Sequence, residues 1–371
     1  MSFLPVRIAG TGSYLPGAPI PSDKVEAVLG PLDDAPPKVK SFIGNLGQKM
    51  LGRGGVRTRH FAVDPETGDM THNFSSLAEK AARNALEMAE VEPSQLDLIV
   101  ISCPSYDQST PPTSALLQER LGVQNCAEIE VHSNCTGVGK AVQIAYDSLR
   151  TGRYQTALVA YSQLSSIYLR SCYFNQAKMD KVHAALRWIL ADGAGALVLQ
   201  ANQNGKPGRE IIDTFVESVG AGRPAGMTAG GAATDLMKAS QQIPQLYDAG
   251  THHLWQDFSA VNDNAAPLLL QGLCSFTKQM NIDPSTVDHY VVSIPTRQLY
   301  DDKIPAFLDR LGITRDKIKF RSDTIGYCGG AATLLHLDEM VRTGELKEGE
   351  LAVVHAVESS KWMTAGFAVR W

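Results

Sequence analysis

The chain has 371 residues, 44% hydrophobic and 20% charged, with 34 Lys and Arg against 39 Asp and Glu for a net charge of −5. This is the composition of a globular protein, with chain enough for two to three average domains or one duplicated unit. Disordered, collagen-like and coiled-coil classes are excluded, and no basic excess or basic run marks a nucleic acid or membrane surface as partner. No apolar stretch reaches about 18 residues, so no membrane-spanning helix is expected. The opening MSFLPVRIAGTGSYLP has no signal-peptide pattern. Six cysteines (Cys103, Cys126, Cys135, Cys172, Cys274 and Cys328) include no CxxC pair. Reduced thiols, a cytoplasmic location and no metal site are the expectation.

In chain order, short apolar or β-branched runs at 6–10, 98–103, 128–133, 157–162 and 195–200 predict strands buried on both faces. Helical patterns lie between them at 75–90, 114–122 and 137–152; the first puts Leu77, Ala81, Ala85 and Met88 on one stripe. The remainder repeats the theme, with helices near 264–280, 298–312 and 329–343 and strands at 289–293, 351–357 and 364–370. Alternating strands and helices predict the α/β class with a mainly parallel sheet. Segments 18–55 and 201–262, rich in Gly with Pro or Ala, read as loops or insertions.

An internal repeat carries more information. PSQLDLIVISCPS at 93–105 matches PSTVDHYVVSIPT at 284–296, ERLGV at 119–123 matches DRLGI at 309–313, and LRTG at 149–152 matches VRTG at 341–344, all at offsets of 190 to 192. Matches in order at a near-constant offset predict two similar α/β halves, 1–205 and 206–371. A site in such a chain is expected where the halves meet, at strand C-terminal ends and helix N-termini.

Cys135 lies in EIEVHSNCTGVGKAVQ, between a predicted strand and a helix rich in small residues. Free N–H groups and the positive end of a helix dipole favour a thiolate and can stabilise an acyl oxyanion. An inert, buried thiol is the alternative. Cys103, Cys126 and Cys274 lie in apolar runs and Cys172 in a loop-like stretch, which fits that inert role.

IAGTGSYLP, GVRTRHFA (55–62), the element around Cys135, LADGAGALVL (190–199) and the ending FAVRW together resemble ketoacyl-acyl carrier protein synthase III, from about residue 5 to the end, with an insertion near 30–50. The resemblance implies the duplicated thiolase fold, two βαβαβ halves layered α-β-α-β-α. It also implies a coenzyme A or phosphopantetheine thioester as substrate, coenzyme A or an acyl carrier protein as its bearer, no permanent cofactor, and a homodimer. ADGAGA does not follow the strand–GxGxxG–helix pattern, so NAD is rejected.

In the resembled family a Cys takes the acyl group, and a His and an Asn assist decarboxylation of a malonyl thioester. The Cys maps onto Cys135. The His position, opening a His-Gln-Ala-Asn-like stretch, falls on Ser293 in Ser-Ile-Pro-Thr, and the Asn position falls on Tyr327 in Gly-Tyr-Cys-Gly. The glycine-rich C-terminal loop becomes Glu358-Ser359-Ser360-Lys361-Trp362, where the Ser360 N–H would join that of Cys135 in an oxyanion hole. Ser and Tyr hydroxyls donate hydrogen bonds but are not near-neutral acid–bases as imidazole is. His132, three residues before Cys135, points away from it if the strand is straight. His336 and His355 sit in a helix and an apolar strand, and His252 and His253 in an undefined region. Glu358 is a candidate base if burial raises its pKa. Arg53 is the candidate thioester-binding cation, and Lys49 stands where an aromatic neighbour is expected.

The sequence therefore points to an acyltransferase working through acyl-Cys135 in fatty acid-like or specialised metabolism. A decarboxylative carbon–carbon condensing enzyme with relocated helpers, Glu358 or Tyr327, stays open. So does a weakly active scaffold subunit paired with an active paralogue.

Overall fold

The structure is a computed structural model describing residues 3–49, 55–202, 205–238 and 240–371. Ten strands form its main sheet: β1 (Val6–Tyr14), β2 (Leu98–Cys103), β3 (Ala127–His132), β4 (Thr156–Leu164), β5 (Asp192–Ala201), β6 (Glu210–Ser218), β7 (His289–Val292), β8 (Ile318–Lys319), β9 (Leu351–Glu358) and β10 (Met363–Arg370). Their order is β8-β7-β9-β10-β6-β1-β5-β4-β2-β3. Strands β1 to β5 and β6 to β10 repeat one order, first-fifth-fourth-second-third, in the same senses, and join through an antiparallel pairing of Arg7 with Glu210.

The sheet is mixed, where the alternation of elements predicted a mainly parallel one. β2 pairs in parallel with β3 and β4, and β7 with β8 and β9. The pairs β1–β5, β4–β5, β6–β10 and β9–β10 are antiparallel. Residues 359–362 between β9 and β10 are too few for a crossover helix, so that pair must turn back on itself.

Six main helices complete the layers: α1 (Phe74–Ala89), α2 (Thr113–Leu121), α3 (Gly137–Arg150), α4 (Phe258–Gln279), α5 (Arg297–Leu311) and α6 (Ala331–Arg342). α1 starts at an Asn73–Ser76 capping box and buries Leu77, Ala78, Ala81 and Ala85. It packs with α2 on the outer face of β1–β5, while α4 and α5 cover the outer face of β6–β10. α3 and α6 lie between the two groups of strands and touch both, which gives five layers, α-β-α-β-α. The middle layer is tight. A Cβ on Gly139 in α3 would come within 2.5 Å of the Gly366 nitrogen in β10, so only glycine fits this face.

Three further expectations need correction. Segment 201–262 is not all loop, since it contributes β6 at the centre of the sheet and the start of α4. Segment 18–55 contains helices Val25–Leu29 and Pro37–Lys49. β3 is not buried on both faces: it is an edge strand, half exposed along its length. Among the described residues no helix is long and apolar enough to cross a membrane.

Candidate active site

Cys135 sits in the turn from β3 to α3, two residues before the first turn of α3. Three turns of the other strand group come to meet it. Ser293 follows β7, Tyr327 precedes α6, and residues 359–362 join β9 to β10. Cys135, Ser293, Tyr327 and Ser360 line one cavity of about 340 Å³. Its walls are mainly apolar, with Leu186, Leu190, Phe258, Leu269, Ile304 and Phe307 among them; Asp302 and Lys303 are charged residues at its margin. Much of this wall comes from 186–190 and 256–269. The latter range overlaps the segment read as insertion, and no motif in the sequence announced it.

The Cys135 Sγ lies 3.1 Å from the Tyr327 hydroxyl. Tyr327 in turn hydrogen-bonds to Ser293, whose Oγ donates to the Gly329 carbonyl at 3.0 Å. Because the Ser293 proton goes to that carbonyl, Ser293 is left to accept from Tyr327, and Tyr327 to accept from the thiol. The chain of donors ends on a peptide oxygen, so at rest it contains no proton acceptor stronger than a carbonyl. The main chain of Tyr327 is fixed by its N–H to Ile189 O at 3.1 Å and by Ala191 N–H to its own carbonyl at 3.0 Å.

The expectation of a resting thiolate is not met. Burial pushes the Cys135 thiol up to about 12. The Tyr327 hydroxyl and the residue's own N–H oppose the rise, and the Glu358 carboxylate adds to it. Tyr327 is likewise raised well above the ordinary phenol value, first by burial and then by its neighbour Cys135.

Glu358 is a correction too. It does not line the cavity, and its carboxylate is saturated. Oε2 accepts from Ser133 Oγ at 2.8 Å, Thr136 Oγ1 at 2.6 Å and the Thr136 N–H at 3.2 Å; Oε1 accepts from Ser360 Oγ at 2.5 Å. Burial works to raise its pKa, but the hydrogen bonds from Ser360, Thr136 and Ser133 and the Lys140 ammonium outweigh it and hold the group below the ordinary carboxylate value. A low-pKa carboxylate with all these donors is a poor base. Sequence reasoning missed Ser133, Thr136 and Lys140; their spacing around Cys135 at the start of α3 was the available signal.

No histidine lines the cavity among the described residues. His132 turns outward to the Pro104 carbonyl at 3.0 Å. His336 and His355 are buried away from the site, and His252 and His253 pack against each other near His183. Arg53 lies outside the described residues, as does the side chain of Lys49.

The duplicated five-layer architecture with a cysteine at the β3–α3 turn is the thiolase fold. The N-terminal family model of 3-oxoacyl-[acyl-carrier-protein] synthase III matches residues 129–220, and the C-terminal model of the same family matches 277–371. The chain belongs to that family. It is similar to a β-ketoacyl-[acyl-carrier-protein] synthase III of Methylococcus capsulatus, 27% identical over 355 residues and covering 94% of each chain. Among solved structures, AbyA1, a tetronic acid condensing enzyme, shares the fold with TM-score 0.78 at 22% identity, covering 99% of this chain and 100% of its own. The 3-oxoacyl-[acyl-carrier-protein] synthase III of Aquifex aeolicus does so with TM-score 0.75 at 18% identity, again 99% and 100%. The family is enzymatic and takes acyl thioesters of coenzyme A or acyl carrier protein without a permanent cofactor.

Proposed function

We propose that the chain is an acyltransferase in which Cys135 takes an acyl group from a coenzyme A or carrier-protein thioester and passes it to an acceptor. The observation carrying this reading is the Cys135–Tyr327 contact of 3.1 Å inside an apolar cavity whose lining, among the described residues, holds no imidazole. In the first step the Cys135 sulfur attacks the thioester carbonyl and forms the new C–S bond. Its proton passes along the Tyr327 hydroxyl to the departing thiolate, which leaves as a free thiol. Thiol exchanges for thiol, so no net base is consumed, and a phenol that donates and accepts at once suits the task. The N–H groups of Cys135 and Ser360 are the proposed oxyanion donors. Ser293 holds Tyr327 in place.

Decarboxylative condensation asks for more. It develops charge on a thioester enolate, which needs two aligned donors beside the malonyl group. Here the larger Tyr327 ring lines the cavity at the position mapped to the family's Asn, and its hydroxyl is already engaged with sulfur. The scaffold reading fits poorly with an open cavity leading to an intact cysteine.

Intact-mass analysis after incubation with a panel of acyl thioesters tests the proposal. One acyl group should appear per chain and be absent in Cys135→Ala; acylation persisting in that variant would overturn it. Residues 1–205 and 206–371 are proposed as the two halves, supported by the repeated strand order. A homodimer is proposed through β3, a half-exposed strand at the end of the sheet. Light scattering at micromolar concentration should give twice the 40.1 kDa chain mass, and a monomer alone would count against it.

A further inference from the structure

Glu358 is 3% exposed, comes from β9, and reaches across to the start of α3. There it takes the Thr136 N–H, one residue past the nucleophile, together with the Thr136 and Ser133 hydroxyls. These donors form the anion-binding end of the helix that carries Cys135. The same carboxylate grips Ser360, in the turn that brings the second proposed oxyanion donor. Lys140, one turn into α3, donates to Ser133 at 2.8 Å and contacts the Met363 sulfur at 2.9 Å, which closes the network.

We infer that Glu358 is a positioning residue that fills the anion site of the nucleophile helix from within, keeps Cys135 a neutral thiol at rest, and clamps the Ser359–Trp362 turn against the Cys135 turn. A helix N-terminus has one set of donors. Those spent on a resident carboxylate are withheld from sulfur, and the carboxylate's charge disfavours a second anion beside it. The titratable groups facing Cys135 are Tyr327 from the turn before α6, Tyr161 from β4 and Glu358 from β9, with Lys140 of α3 facing the carboxylate. Of these, Glu358 is the one held as an anion. The neutral thiol leaves acylation to proceed by proton transfer through Tyr327 to the leaving group, and it protects sulfur from adventitious oxidation and alkylation.

The inference rests on Cys135 as nucleophile, but its test needs no acyl substrate. The rate of Cys135 carbamidomethylation by iodoacetamide is followed by mass from pH 6 to 11 in the native chain, Glu358→Gln, Glu358→Asp and Lys140→Met. Loss of the charge in Glu358→Gln should move the pH profile down by about one unit or more, so alkylation at a given pH quickens about tenfold. Glu358→Asp, which keeps the charge, should stay near the native profile. Lys140→Met, which bares the carboxylate, should move the profile up. A folded Glu358→Gln with an unmoved profile overturns the inference. Should Glu358→Gln fail to fold, an unmoved Lys140→Met profile overturns it as well. Either result leaves acyl transfer through Cys135 standing.

Discussion

Replacing Tyr327 by Phe deletes one oxygen and keeps the ring that packs in the cavity wall. The hydroxyl removed is 3.1 Å from the Cys135 sulfur; it accepts the thiol proton at rest and is the one relay group that can turn to donate as that proton leaves. While Cys135 is a thiol, that contact is a neutral hydrogen bond contributing about 1 kcal/mol. As acylation begins, charge builds on sulfur and the bond becomes one to a charged group, contributing about 1.5–3 kcal/mol. The difference, about 0.5–2 kcal/mol, appears in the barrier, so formation of the acyl-enzyme should slow by about 2- to 30-fold. Global stability should fall by only about 1 kcal/mol, because Ser293 keeps its proton on Gly329 and loses an incoming donor alone. The assay is rapid-quench intact mass under single-turnover conditions with one acyl thioester. Unchanged acylation by a folded Tyr327→Phe would mean the proton leaves sulfur by another route, and the relay would be refuted.

Three further outcomes follow from the same geometry. Carbon dioxide release from a malonyl thioester should lag a typical family member by at least about 10², with partial recovery in Ser293→His/Tyr327→Asn; fast release by the native chain, untouched in Ser293→Ala and Tyr327→Phe, would show that other residues carry that chemistry. Asp192, buried and accepting from Ala62 N–H at 2.7 Å, Ser166 N–H at 2.9 Å and Ser166 Oγ at 2.5 Å, ties three segments beneath the site; Asp192→Ala should cost roughly 3 kcal/mol or more in denaturant unfolding, and a loss below about 1 kcal/mol would contradict that role. Burial holds His336 and His355 down to about 3, so between pH 6.5 and 3 the unfolded chain binds protons that the folded chain refuses. Stability should therefore fall as pH drops through that window, by up to about 1.4 kcal/mol per unit for each histidine, and denaturant midpoints equal at pH 7 and pH 4 would exclude it.

The sequence made the repeated elements legible because they are the buried ones. Runs such as LIVISC and the 93–105/284–296 match encode strands whose surroundings are the same in both halves. The Cys135 turn was legible from strand, cysteine and small-residue helix in succession, and Ser293, Tyr327 and Ser360 from the family resemblance that marked their positions. β6 was hidden because EIIDTFVES carries Asp213 and Glu217 into a central strand, breaking the apolar run expected there. The antiparallel pairings were hidden because periodicity reports burial and not direction. The state of Cys135 was hidden because the dipole argument treated the start of α3 as vacant. The carboxylate that occupies it arrives from residue 358, 222 positions beyond Thr136. No local pattern reports such a distance.

The relay and the clamp share one property of the duplication. Apart from its share of the cavity wall at 186–190, β1–β5 contributes at the site the sulfur and the helix start with its network side chains, whereas Ser293, Tyr327, Glu358 and Ser360, which close around the sulfur, arrive from β6–β10. The first unit has kept the reagent and the second its instructions. Selection acting on three short turns, at 293–296, 326–329 and 359–362, can thus change which reaction the thiol performs while the strand and helix holding it stay as they are. Exchange of those turns between relatives is the economical way to move chemistry from one such protein to another.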